Sequence, residues 1–182
     1  MQYRWRLWPP RASRQEKIIP PRSINIFTQA CAPLPEPIRA TGPAAERYAV
    51  DVAMAGALLG MERLGCNIFV LPPGKRAFPF HNHHAAEELF VILEGTGSFR
   101  QGSASAPVGP GDMLACPAGG PDSAHQIVND GTQPLRYLAI STRPELDVIE
   151  YPDSGKTRVI AGTGFDLLVG RDAATPGYWE GE

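Results

Sequence analysis

Residues 80–95 read FHNHHAAEELFVILEG, and the alternation of side chains along this stretch decides the fold. Its second half, Glu88 to Glu94, is a run of apolar and β-branched residues closed by Gly95, the pattern of a strand that ends in a turn. Successive strand side chains point to opposite faces, so Glu88, Phe90 and Ile92 share one face and Leu89, Val91 and Leu93 the other. Both faces are apolar apart from Glu88. The strand is therefore expected to be covered on both sides, by another sheet of the chain or by a partner subunit. In the first half, the same parity puts His81 and His83 on one face and His84 on the other. Four residues separate His83 from Glu88, enough for a tight turn before an antiparallel return that could bring Glu88 into the same interior.

The surrounding sequence has the same texture from Cys66 onward. Strands are predicted near 66–71, 77–83, 88–94, 97–101, 112–116, 125–129, 135–141 and 146–151, with turns at Pro72-Pro73-Gly74, Glu94-Gly95-Thr96-Gly97, Gly109-Pro110-Gly111-Asp112 and Asn129-Asp130-Gly131. Many short strands with almost no helix between them specify an all-β sandwich or barrel. Residues 1–42 read as an irregular, Pro-rich and basic arm, either wrapping the surface or donating a strand to a partner. Residues 43–60 are the only stretch of good helix formers, and a short helix or helix–turn is expected there. The domain proper is expected over 43–182, with its core at 66–151. The glycine-rich tail from 152 is expected to lie over the sheets.

At 182 residues, 43% hydrophobic and 20% charged, the chain has the composition of one globular domain. The net charge of −2 gives no general attraction to nucleic acid or membrane. It divides unevenly. Arg4, Arg6, Arg11, Arg14, Lys17 and Arg22 against Glu16 give residues 1–22 a balance of +5, which leaves −7 for the remainder. The longest apolar-looking stretch, Tyr48 to Met61, is too short to span a bilayer and includes Asp51. Cys31, Cys66 and Cys116 are odd in number and widely spaced, which argues for a reducing compartment, the cytoplasm, and against a disulfide framework.

The fourth histidine, His125, opens a later strand directly after the Pro/Gly-rich turn at 117–121. Two imidazoles at i and i+2, a carboxylate on a neighbouring strand and a distant third imidazole form a mixed nitrogen and oxygen donor set. Such a set suits Zn, Fe, Mn, Co, Ni or Cu better than Ca or Mg.

These segments resemble the two signatures of the cupin superfamily. Gly74…His81-x-His83-x4-Glu88-x6-Gly95 is similar to the first, and Gly111-x5-Pro117-x-Gly119…His125-x3-Asn129 to the second. The 15 residues between Gly95 and Gly111 resemble the short spacing of small microbial cupins. The likeness extends over roughly residues 58–182, and some single-domain bacterial cupins of this kind carry sugar-phosphate isomerase labels. Two spacings depart from the pattern: six residues precede His81 after Gly74 where five are usual, and five separate Gly119 from His125 where two are usual.

The resemblance implies a double-stranded β-helix, or jelly-roll barrel, and one divalent metal (Zn, Fe, Mn or Ni) held by His81, His83, Glu88 and His125. The x6-Gly95 spacing selects Glu88 over Glu87. Phe78, Phe80, Phe90, Tyr137, Asp122 and Arg76 are candidate pocket residues, and Arg76 and Lys75 the candidates for holding a phosphate. The expected function is metal-dependent chemistry on a small polar molecule, such as isomerisation of a sugar or sugar phosphate. The alternatives are an Fe-dependent dioxygenase and a non-catalytic small-molecule binder. The expected partners are a small-molecule ligand and a second copy of the chain, with no nucleic acid and no membrane.

Overall fold

In a computed structural model of the chain, residues 22–170, apart from 37 and 163, are described. The fold is almost entirely β. The strands are β1 (Ala32–Pro33), β2 (Asp51–Ala53), β3 (Leu64–Leu71), β4 (Asn82–His83), β5 (Glu88–Glu94), β6 (Gly97–Gln101) and β7 (Ala104–Val108). They continue as β8 (Met113–Cys116), β9 (His125–Val128), β10 (Leu135–Thr142), β11 (Leu146–Tyr151), β12 (Lys156–Ala161) and β13 (Phe165–Gly170). One short helix, α1 (Ala55–Leu59), lies against β3.

The strands form three antiparallel sheets. The order is β1-β2-β3-β10-β5-β8 in the first, β13-β12-β11-β4 in the second and β7-β6-β9 in the third. The main core draws Phe69 and Leu71 from β3, Phe90 and Ile92 from β5, Phe99 from β6, Ile127 from β9 and Leu135 and Tyr137 from β10. It therefore fills the space between the six-stranded and three-stranded sheets. Phe90 and Ile92 are buried as their parity requires. The opposite face of β5 is only half covered: Leu89, Val91 and Leu93 are partly exposed, and Met113, the cross-strand partner of Val91, is 66% exposed.

Several sequence expectations need correction. No continuous strand spans 77–83. Pro79 has no N–H to give a ladder, and only isolated bridges at Arg76 and His81 precede the two-residue β4. The short helix expected within 43–60 is present as α1, but it is preceded by a 3-10 helix at Gly42–Glu46 and by β2, a strand the run of helix formers did not announce. The tail from 152 does not merely lie over the sheets: up to residue 170 it extends one, β12 and β13 forming a hairpin that continues β11. Its last residues, 171–182, fall outside the described range.

The expected arm also divides. Residues 1–21 lie outside the described range, whereas the segment from Ile24 onward joins the fold. Leu34 is buried in the main core, Ile24, Ile26 and Cys31 pack beside Ile68, and β1 pairs with β2 of the same chain. Arg136 fastens this segment, donating from Nε to the Ile26 carbonyl at 2.8 Å and from Nη2 to the Gln29 carbonyl at 2.9 Å.

Candidate metal centre

The expected antiparallel return of β5 on β4 does not form, because His83 on β4 pairs with β11 and Glu88 on β5 pairs with β10 and β8, in different sheets; the turn between them nevertheless sets Glu88 opposite the histidines. Glu88 Oε2 lies 2.9 Å from His125 Nε2, 3.6 Å from His83 Nε2 and 3.9 Å from His81 Nε2. His81 and His125 are joined as backbone partners, each N–H donating to the other's carbonyl, at 3.2 and 2.8 Å. Donor atoms of His81, Glu88 and His125 all fall within 4.8 Å of one another. His83 stands slightly apart, its ring 6.4 Å from that of His125 and 5.1 Å from that of His81.

The other nitrogen of each ring is already engaged. His81 Nδ1 is 2.8 Å from the Pro79 carbonyl, His125 Nδ1 is 3.2 Å from the Ser123 carbonyl, and His83 Nδ1 is 2.6 Å from Asp147 Oδ2. A carbonyl or carboxylate accepts and cannot donate, so each Nδ1 carries a proton and Nε2 is the atom each ring has left for a metal. Three Nε2 atoms then converge on one carboxylate, and wherever a ring is neutral an acceptor faces an acceptor. Only a proton or a cation between them balances this arrangement, and the donor set therefore fits a bound divalent metal.

Electrostatics point the same way. Burial, followed by the neighbouring His125, lowers the His81 pKa to about 4, with Glu88 opposing and His83 reinforcing the shift. For Glu88, burial works upward, but the hydrogen bond with His125 and the proximity of His83 and His81 outweigh it and hold the carboxyl below its ordinary range. A neutral His81 beside an ionised Glu88 is a pair of protonation states that a metal requires.

His84 turns away, as its parity predicts, and bonds Glu150 through Nε2 at 2.9 Å. The Glu87 side chain is exposed, while Cys116 is buried, its thiol pushed up by burial and then by Glu88. Beside the cluster is a cavity of about 280 Å³ lined by His81, His83, Glu88, Phe78, Phe90 and Tyr137 among others. Three of the six candidate pocket residues, Phe78, Phe90 and Tyr137, thus line it. Asp122 does not. The long Gly119–His125 loop coils outward into a 3-10 turn at Pro121–Ser123 and exposes Asp122 to solvent. That loop still serves the centre through its backbone: Ser123 orients His125, and Gly119 donates its N–H to the His83 carbonyl at 2.8 Å.

Phe80 is buried under the Arg100 guanidinium, 3.6 Å above its ring, rather than lining the cavity. Neither Arg76 nor Lys75 lines it. Lys75 is spent on structure, donating to the carbonyls of Ala45 and Glu46 at 3.1 and 2.8 Å. Residues that sequence reasoning missed are Asn67, Ser141, Tyr151 and Arg158, which line the cavity, and Asp147, which orients His83. Asn67 did carry a signal, as the lone polar side chain alternating with Phe69 and Leu71. Arg158 and Asp147 lie on strands distant in sequence and carried none.

Comparison with known proteins agrees with the architecture. Residues 67–141 match the cupin domain family. A proposed sugar phosphate isomerase from Acidithiobacillus ferrooxidans superposes with a TM-score of 0.70 at 27% identity, covering 83% of this chain and 91% of that one. A cupin-superfamily sugar phosphate isomerase from Silicibacter pomeroyi gives 0.64 at 26% identity, covering 71% and 81%. An uncharacterized protein of Methanocaldococcus jannaschii is 33% identical over 41% of this chain and 57% of its own length. Auxin-binding protein 1 of Arabidopsis thaliana is 29% identical over 56% of this chain and 54% of its own length. The chain thus spans little more than half the length of these curated relatives.

Proposed function

Because the chain belongs to the cupin superfamily, we propose that its sheets close into a jelly-roll barrel around one divalent transition metal held by His81, His83, Glu88 and His125, and that it isomerises a small sugar or sugar phosphate. The observation that carries this reading is the convergence of three Nε2 atoms on Glu88 Oε2, with every Nδ1 already held by an acceptor. The nitrogen and oxygen donor mix suits Zn, Fe, Mn or Ni. Such an ion, when bound, polarises adjacent substrate oxygens as a Lewis acid. Similarity to the two sugar phosphate isomerase structures supports the substrate class.

The remaining cavity residues bind and orient. Phe69, Phe78, Phe90 and Ile149 exclude water from the apolar wall. Tyr137 is almost fully buried. Burial, then the Glu88 carboxylate, push its pKa above the ordinary tyrosine range, so it keeps its proton and donates to a substrate oxygen. Arg158 is the one cation among the described lining residues and takes the role expected of Arg76 and Lys75. Its pairing with Asp166, at 2.8 and 2.5 Å, tempers that charge.

One feature favours a second reading, a binding module without catalysis. Apart from the proposed ligands, no carboxylate or imidazole lines the cavity among the described residues, so a separate base for moving a carbon-bound proton is missing. The likeness to an auxin-binding protein accords with small-molecule capture. We also infer a homodimer through the half-covered face of Leu89, Val91 and Met113, which light scattering would detect.

Elemental analysis of the purified chain, coupled to a screen of aldose–ketose pairs and their phosphates, tests the reading. About one metal per chain, lost in His125→Ala, together with turnover of one pair is the expected result. Metal without turnover, alongside tight binding of an unchanged ligand, would favour the binding module. If no stoichiometric metal binds at all, both readings fall.

A further inference from the structure

A cavity larger than the one beside the histidines lies elsewhere in the fold. It measures about 630 Å³ and lies between the segment Pro33–Asp51 and the main core, well within the size of small-molecule sites. Its floor is apolar: Leu34, Val50, Ala77 and Phe78 are all buried or half-buried. Its rim is cationic, with Arg39, Arg47 and Lys156 against a single carboxylate, Asp51. Arg39 has a neighbour in Glu36 at 3.7 Å. Arg47 and Lys156 have no carboxylate partner within salt-bridge distance among the described residues; Arg47 only faces the Tyr48 ring at 5.7 Å.

The wall carrying Arg47 is fixed in place. The Arg76 N–H donates to the Arg47 carbonyl at 2.9 Å, the Ala49 N–H donates to the Arg76 carbonyl at 3.3 Å, and the Lys75 ammonium ties down the carbonyls of Ala45 and Glu46. A pre-organised wall reduces the entropy lost when a ligand enters. Phe78 and Pro79 line both this cavity and the one at the histidines, so the two chambers share a partition.

We propose that this cavity is a second binding site, for a small molecule with an apolar body and one carboxylate, the body on the Leu34–Val50–Phe78 floor and the anion between Arg47 and Lys156. The charge excess on the rim excludes a neutral or cationic occupant as the preferred one, and the apolar floor disfavours a sugar or inorganic phosphate. The site does not depend on the metal.

The test uses 2-naphthoate as the probe and the full chain, with binding followed by calorimetry and metal content measured in parallel. Naphthoate is expected to bind at least tenfold more tightly than the neutral 2-naphthamide. The exposed double variant Arg47→Gln/Lys156→Gln should weaken naphthoate at least tenfold while leaving naphthamide unchanged. Ala44→Trp, which fills the cavity from the 3-10 helix, should abolish both, and none of the variants should alter metal content. Failure of naphthoate to bind, equal affinity for the amide, or indifference to the charge variant would each overturn the proposal. Loss of metal binding in His125→Ala with naphthoate binding retained would leave it standing.

Discussion

His83 Nδ1 and Asp147 Oδ2 lie 2.6 Å apart, a contact that spans 64 residues and joins β4 to β11. The carboxylate is buried, and its other oxygen accepts the Ala85 N–H at 2.9 Å. Both oxygens therefore face donors. Asp147→Asn keeps the shape but must turn an NH2 toward one of them. Either Ala85 loses its acceptor, or His83 moves its proton to Nε2 and loses the lone pair aimed at Glu88. Metal affinity is expected to fall about 10- to 100-fold, with roughly 1–3 kcal/mol of stability lost. Metal titration and denaturant unfolding of the variant read the two effects separately.

Acid should destabilise the metal-free protein well above the usual carboxylate range. His81 is held down to about 4 in the fold against an ordinary 6.5, first by burial and then by His125. The unfolded chain thus binds a proton that the folded chain refuses, and stability is complete above about pH 6.5 and falls as pH drops toward 4. That shift corresponds to about 3 kcal/mol. Glu88, held below its ordinary range, adds a loss of the same sign at lower pH. Unfolding curves of chelator-treated protein between pH 7 and 4 check this. A flat profile, or one matched by His81→Gln, would contradict it.

Two turn glycines should respond very differently to alanine. Gly74 and Gly95 both have positive φ, 75° and 79°, so either substitution incurs the left-handed penalty of about 1 kcal/mol. A Cβ at Gly74 meets open space, whereas one at Gly95 would overlap the Pro134 carbonyl oxygen. Gly74→Ala is expected to lose about 1 kcal/mol. Gly95→Ala should lose roughly 3 kcal/mol or more, because backbone at the β10 entry must move. Comparing denaturation midpoints of the pair isolates the steric part.

What could be foreseen followed the reach of strand parity. Alternation along 80–83 puts His81 and His83 on one side and turns His84 away toward Glu150, because parity within a strand is local, and Glu88 meets the two histidines across the short turn between two sheets. Asp147, Tyr151 and Arg158 come to the site through the pairing of β11 with β4 and β12, and nothing in their local pattern specifies that pairing. Asp122 was misplaced for a related reason. Spacing locates a loop between two fixed points but does not say whether it coils inward or outward, and Pro121 starts a 3-10 turn that exposes it. The strand expected over 77–83 is broken at Pro79, which has no N–H to give a ladder.

Arg136 offers the means to separate the N-terminal segment from the site. Its guanidinium, on β10, reaches the carbonyls of Ile26 and Gln29 more than 100 residues away in sequence. Gln is too short to span both, and the released carbonyls can turn to water, so Arg136→Gln should lose only about 1–2 kcal/mol. The loss should be local. Ile24, Ile26 and Cys31 pack on Ile68 and Leu138 at the outer side of β3 and β10, away from Glu88 and the histidines. Hydrogen exchange at residues 24–31 is expected to accelerate at least tenfold while metal content stays that of the parent chain. Exchange that accelerates equally in β5 and β9 would mean that this segment holds the whole fold rather than its own anchorage.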